Sequence, residues 1–151
     1  MKATTTFPPT LTVESVRQLF NPASIVLVGA TDKSSWSRAF YANLVQSGFA
    51  GAVHLVNPRG GIVHDQQSYR SVADLPEPAD LAIVMVPTGA VLDVMGEIAD
   101  AGIRSAVVLT AGFGEVGEEG ARLEEQLRAL ARERGITVLG PNGNGFVNVA
   151  A

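Results

Sequence analysis

With 151 residues, 46% of them hydrophobic and 17% charged, the chain is long enough for one domain that buries about 70% of its unfolded surface. The lack of cysteine and the presence of only two histidines, His54 and His64, exclude disulfides, thiolate zinc sites and thiol nucleophiles, and speak against a histidine-built metal site. A net charge of −4 argues against nucleic acid, and apolar runs such as Leu81 to Val86 fall far short of the ~18 residues of a membrane span, so a soluble, cytoplasmic protein is expected.

Met1 to Thr10 carries a single Lys2 and no apolar core. Thr12 is placed to cap a short helix through Phe20, with Val13, Val16 and Phe20 on one face, before Asn21-Pro22 breaks it. The organising stretch follows. Ser24 to Val28 is an apolar run that ends at once in Gly29-Ala30-Thr31 and opens into a helix beyond Ser34, the pattern of a buried parallel strand that delivers a phosphate to a helix N-terminus. Of the three glycines of the dinucleotide fingerprint only Gly29 is present, the other two positions holding Thr31 and Ser34, so phosphate binding and a purely structural turn both remain open.

Phe40 and Leu44, with Ala39 and Val45, give that helix an apolar face, and Gly48 and Gly51 stop it. A second strand, Ala52 to Val56, runs into the bend Asn57-Pro58-Arg59-Gly60-Gly61. Ile62 to Pro78 is short and mixed, with Tyr69, Val72 and Leu75 as anchors. Leu81 to Val86 is a third strand with almost no polar residue, as suits a parallel sheet covered on both faces. Thr88 is expected to cap the next helix, whose inward stripe is Val91, Met95 and Ile98. Ser105 to Leu109 is the fourth strand. After Thr110-Ala111-Gly112-Phe113-Gly114 comes a helix with Glu118 and Glu119 in its first turn, Leu123, Leu127 and Leu130 inside, and Arg128, Arg132 and Arg134 before Gly135, charges that match the helix dipole at both ends. Ile136 to Leu139, the last strand, leads into Gly140 to Gly145. The sum is an α/β, Rossmann-like, doubly wound and mostly parallel five-stranded sheet with helices on both faces, in a single domain whose residues 1–20 form a lead-in and 21–148 the core.

In such sheets ligand lies beyond the carboxyl ends of the strands. Five loops qualify, and all are rich in Gly, Pro, Ser, Thr or Asn: Gly29 to Trp36, Asn57 to Gly61, Val86 to Gly89, Thr110 to Glu115 and Gly140 to Gly145. For NAD the second strand should end in an acidic residue for the ribose hydroxyls. It ends in Asn57-Pro58-Arg59, and a guanidinium there suits a ribose phosphate, as in NADP or coenzyme A, unless Arg59 is merely a solvated loop charge.

The run from Asn21 through Gly29-Ala30-Thr31, then Val56-Asn57-Pro58-Arg59, Tyr69 to Pro76, Val86-Pro87, Ala111-Gly112-Phe113 and Leu139-Gly140-Pro141-Asn142 closely resembles the N-terminal CoA-binding domain of NDP-forming acyl-CoA synthetases, of which the succinyl-CoA synthetase alpha subunit is a more distant relative. The resemblance covers about Leu19 to Asn148. It implies that Gly29, Ala30, Thr31, Lys33, Ser34, Ser35 and Trp36 hold the CoA diphosphate, that Arg59, with Asn57 and Pro58, takes the 3′-phosphate, and that Val86, Pro87, Thr110, Ala111 and Gly112 line the path of adenosine and pantetheine. It implies no catalytic residue and no metal in this chain, since the phosphohistidine and ATP-grasp domains, with ATP and magnesium, would lie beyond Ala151. The chain departs from the family at Ser34-Ser35-Trp36-Ser37, where many relatives have Pro-Gly and a later Gly, and at Gly143-Asn144, where relatives commonly have Cys and then Leu or Pro. Two other readings stand beside the ligase: a CoA-binding regulatory module, free-standing or attached to a lysine acetyltransferase, and an NADP-binding domain.

Among single residues, His54 reads as a satisfied core or face residue and neither histidine as a phosphate carrier. Trp36 either stacks on adenine or begins the apolar face of its helix. Lys33 and Arg38 either add positive potential near the diphosphate or are exposed helix charges. Glu115 either meets ligand polar groups or favours the following helix N-terminus, and Asn142 is either a turn former or a neighbour of the missing phosphohistidine loop.

Overall fold

A computed structural model describes residues 11–146; the expectations for Met1 to Thr10 and for the end of the core at residue 148 lie outside the described residues. Strands β1 (Ser24–Val28), β2 (Ala52–Val56), β5 (Leu81–Val84), β6 (Ser105–Val108) and β7 (Thr137–Leu139) form one sheet in the order β2-β1-β5-β6-β7, every pair parallel. Strands β5 and β6 are buried along their whole length, which is why their sequences show no alternation. The third and fourth strands of the sequence reading end two residues and one residue earlier, and the fifth starts one later, although the Met85 and Leu109 N–H groups still bond the carbonyls of Val28 and Val84.

Helices α3 (Val91–Asp100) and α4 (Glu118–Arg134) cover one face, where Val91, Met95, Ile98 and Leu127 pack on Val26, Val84 and Val108. Helices α1 (Val13–Phe20) and α2 (Ser35–Gln46) cover the other, where Leu19, Phe40, Tyr41 and Leu44 meet Leu27, Leu55 and Val107. The α4 terminus follows its sequence signals, ending at Gly135 in the left-handed region (φ 67°) with Arg132 and Arg134 in the last turn.

Three local expectations are corrected. Thr12 caps α1 in a full capping box with Ser15, yet Val13, Val16 and Phe20 are exposed and the helix buries Ser15 and Leu19. The small Ser15 lets α1 approach β6, where the Ser105 hydroxyl donates to the Ser15 carbonyl, while Phe20 packs edge-on against Phe146. In α2, Ala39 and Val45 are exposed and Tyr41 joins Phe40 and Leu44 at the core. Thr88 caps no helix: it opens a 3-10 turn, Thr88–Ala90, whose preceding residue is Pro87, and its hydroxyl donates instead to the Ala111 carbonyl at 2.7 Å.

The mixed stretch after β2 holds an antiparallel hairpin, β3 (Gly61–Val63) and β4 (Gln66–Ser68), too short for periodicity to reveal. It folds back so that Tyr69 pairs with Val56, and Tyr69, Val72 and Leu75 do anchor it to the core.

Candidate functional site

The strand order reverses between β1 and β5, so the crevice of a doubly wound sheet lies over their carboxyl ends. Here the loops touch. Gly29 has φ +90°, and a Cβ on it would stand 2.8 Å from the Met85 carbonyl oxygen; only glycine serves both the backbone and the space. The N–H groups of Gly29 and Ala30 both donate to the Val56 carbonyl, each at 3.0 Å, fixing the turn to the end of β2.

Side chains then staple neighbouring loops. Asn57 Nδ2 donates to the Ala30 carbonyl at 2.8 Å, and Asn57 Oδ1 accepts from the Arg59 N–H at 2.9 Å, so the residue that opens the β2 bend ties it to the first loop. Thr110 Oγ1 donates to the Val86 carbonyl, and Thr88 Oγ1 returns a bond to Ala111, both at 2.7 Å. Gly112, at φ +100°, permits that exchange, since a Cβ there would come within 2.8 Å of Thr88 Oγ1. The β7 loop joins through the Asn142 N–H to Thr110 and the Gly143 N–H to Val108.

Within the first loop, Ser34 is the N-cap of α2: its side chain accepts from the Ser37 N–H, the part a helix cap must play where the expected Pro-Gly is missing. The Lys33 N–H bonds Thr31 Oγ1 and the Thr31 N–H bonds Ser37 Oγ. The N–H groups of Asp32, Ser35 and Trp36 bond nothing among the described residues. Donors of this kind at the positive end of a helix suit a diphosphate.

The structure therefore brings Gly29, Ala30, Thr31, Asn57, Val86, Thr110, Ala111 and Gly112 to one edge. Ala30 is fully buried and contributes through its backbone. Arg59 and Lys33 are exposed, with no side-chain partner among the described residues. Trp36 is 53% exposed and stacks on Phe40. Arg38 is committed to the Asp32 carbonyl. His54 lies edge-on to Tyr69 in the sheet region. Glu115 bonds within its own loop: its carboxylate accepts from the Gly112 N–H at 2.6 Å and the Phe113 N–H at 3.1 Å. The bond from Gly112 above all, then that from its own N–H, with a lesser one from Phe113, hold its carboxyl below the usual range against an opposing desolvation. Sequence reasoning missed the partnership of Asp32, Ser37 and His64, which no local spacing announces. Two described concavities, one beside α4 and β7 and one beside Ser71 to Pro78, lie apart from the crevice, which is an open shelf of backbone donors.

Residues 23–148 match a family model described as CoA binding domain. The chain belongs to that family. Among curated relatives, this CoA-binding domain is 37% identical over 140 residues to acetate–CoA ligase (ADP-forming) II of Archaeoglobus fulgidus, covering 91% of this chain and 20% of that protein. It is 36% identical over 142 residues to the alpha subunit of acetate–CoA ligase (ADP-forming) I of Pyrococcus furiosus, covering 91% of this chain and 31% of the subunit. Among solved structures, the dinucleotide-forming acetyl-coenzyme A synthetase 1 of Ca. Korarchaeum cryptofilum in complex with phosphate and ADP superposes with a TM-score of 0.79 at 39% identity, over 85% of this chain and 28% of that one. The chain thus spans between a fifth and a third of these relatives and is homologous to the N-terminal, CoA-binding part of NDP-forming acyl-CoA synthetases.

Proposed function

We propose that the chain recognises CoA for an NDP-forming acid–CoA ligase whose phosphoryl-transfer machinery lies in other domains or subunits. The observation that carries this reading is the family match over residues 23–148, which spans all five loops at the carboxyl edge. The free N–H groups of Asp32, Ser35 and Trp36 receive the CoA diphosphate at the α2 N-terminus. Arg59, aimed by the Asn57 bond to its N–H, supplies paired donors to the 3′-phosphate. Pantetheine runs past Val86 and Pro87 and over Thr110, Ala111 and Gly112, a floor kept flat by the reciprocal threonine bonds. Because the chain is net acidic, these local donors, with Lys33, bear the whole load of attracting a polyanion.

Chemistry falls elsewhere. His64 is hydrogen-bonded inside the fold and His54 lies on strand β2 against Tyr69, neither on the carboxyl-edge shelf, so phosphate passes through a histidine of a partner domain, with ATP and magnesium at an ATP-grasp site of the complete ligase. Calorimetric titration of the isolated chain with CoA, NAD and NADP tests the reading. CoA binds most tightly, and NAD binding of equal or greater strength would overturn the assignment.

A further inference from the structure

The hairpin between β3 and β4 turns on two residues, His64 and Asp65, both with positive φ (49° and 59°). That two-residue geometry favours Asn-Gly, and although His and Asp enter the left-handed region more readily than most side chains, glycine alone does so without steric cost. What holds His64 there is its side chain, only 4% exposed. The ring stacks on Tyr41 of α2 at 5.1 Å. Nδ1 lies 2.8 Å from Asp32 Oδ1 and Nε2 lies 2.7 Å from Ser37 Oγ, and the His64 backbone N–H donates to the same Asp32 oxygen at 3.0 Å.

With the imidazole neutral, the protons in this chain of contacts have one consistent placement. The Asp32 carboxylate only accepts, so Nδ1 carries the hydrogen and Nε2 is the acceptor. Ser37 Oγ therefore donates to Nε2, and its lone pair is left for the Thr31 N–H, which it accepts at 2.9 Å. We infer that His64 is a positioning residue for the diphosphate loop: from the neighbouring hairpin it grips Asp32 on one side of the loop and Ser37 on the other, holding Thr31 N–H inward and leaving the outward donors in a preset shape. This rests on the CoA reading and adds to it that loop shape is set by a side chain 27 residues beyond Ser37.

The variant His64→Phe keeps a ring against Tyr41 and removes both polar contacts; Asp32 is exposed enough to regain water. Wild type and variant are titrated calorimetrically with CoA, with adenosine 5′-diphosphate and with adenosine 3′-monophosphate, which has no diphosphate. Loss of these two hydrogen bonds, one of them to a carboxylate, loosens the loop without touching the ligand and predicts roughly 3- to 10-fold weaker binding of the two diphosphate ligands, with the 3′-monophosphate unchanged. Ser37→Ala gives the same selective loss, and the double variant is no worse than either single one, because the two residues act in one chain of contacts. Long-range imidazole ¹⁵N spectra of the wild type show the Nδ1-protonated ring. A merely structural histidine would weaken all three ligands alike, and that result, an unchanged CoA affinity in the variant, or a ring with no proton on Nδ1 overturns the inference while leaving the CoA reading intact. Failure of the wild type to bind CoA overturns both.

Discussion

The guanidinium of Arg59 is exposed and has no partner among the described residues, so its removal takes nothing from the fold. If it grips the 3′-phosphate, Arg59→Ala costs roughly 1.5–3 kcal/mol of binding, about 10- to 100-fold in CoA affinity, with thermal stability unchanged. Dephospho-CoA should bind the wild type more weakly and lose almost nothing further in the variant. A coupling between residue and phosphate below about 0.5 kcal/mol in that four-titration cycle would reduce Arg59 to a solvated charge. Glu115 gives a pH signature instead. Its carboxyl is held low by the Gly112 N–H first and the other loop N–H groups after it, so it contributes stability that is complete above the ordinary glutamate range and is lost as pH falls through its lowered value. Denaturation of wild type and Glu115→Gln should therefore differ by a constant amount near neutrality, a gap that begins to close as the pH falls below about 4.3 and is gone once the pH is below the lowered value. A gap that persists into stronger acid would show that the carboxylate charge is not what clamps the loop.

Two glycines inside helices show how an element's surroundings decide the sign of one substitution. In α3, nothing lies within 4 Å of a Cβ built on Gly96, so Gly96→Ala should gain about 0.5–1 kcal/mol of stability from helix propensity and reduced unfolded-state freedom. In α4 the same change at Gly120 would put the Cβ 1.8 Å from the Phe113 carbonyl oxygen, and backbone cannot yield as a flexible side chain does. Gly120→Ala should cost about 1–3 kcal/mol as an overpacked contact and, by pushing α4 off the loop after β6, should also weaken CoA binding. Equal effects at the two positions in urea denaturation would refute this account of how α4 is seated.

At the level of the whole molecule, recognition is separated from chemistry in the proposed function. The shelf over β1, β2, β5 and β6 is made of backbone donors and hydroxyl staples, His64 is hydrogen-bonded to Ser37 and Asp32, and His54 lies in β2 edge-on to Tyr69. The isolated chain is accordingly expected to bind CoA but to form no acyl-CoA from acid, CoA and ATP, and to take up no label from ATP when assayed at alkaline pH, where phosphohistidine survives. Robust labelling of His54 or His64 would place chemistry in this domain and undo the division of labour.

The sheet, its covering helices and the five carboxyl-edge loops were legible in the sequence because each depends on local order: continuous apolar runs for buried parallel strands, 3.6-residue stripes for α3 and α4, and glycine, proline or hydroxyl residues where a strand must turn. Family resemblance then pointed to a CoA-binding domain, the family that residues 23–148 match. Tertiary structure alone decided which side of the eight-residue α1 is buried, since Ser15 and Leu19 win only because a small residue lets the helix settle on β6. It alone gave Thr88 to the Ala111 carbonyl rather than to a helix end, and it alone joined Asp32, Ser37 and His64. Such polar contacts link residues far apart in the chain, and their energy comes from orientation and burial, which no periodicity of side-chain type records.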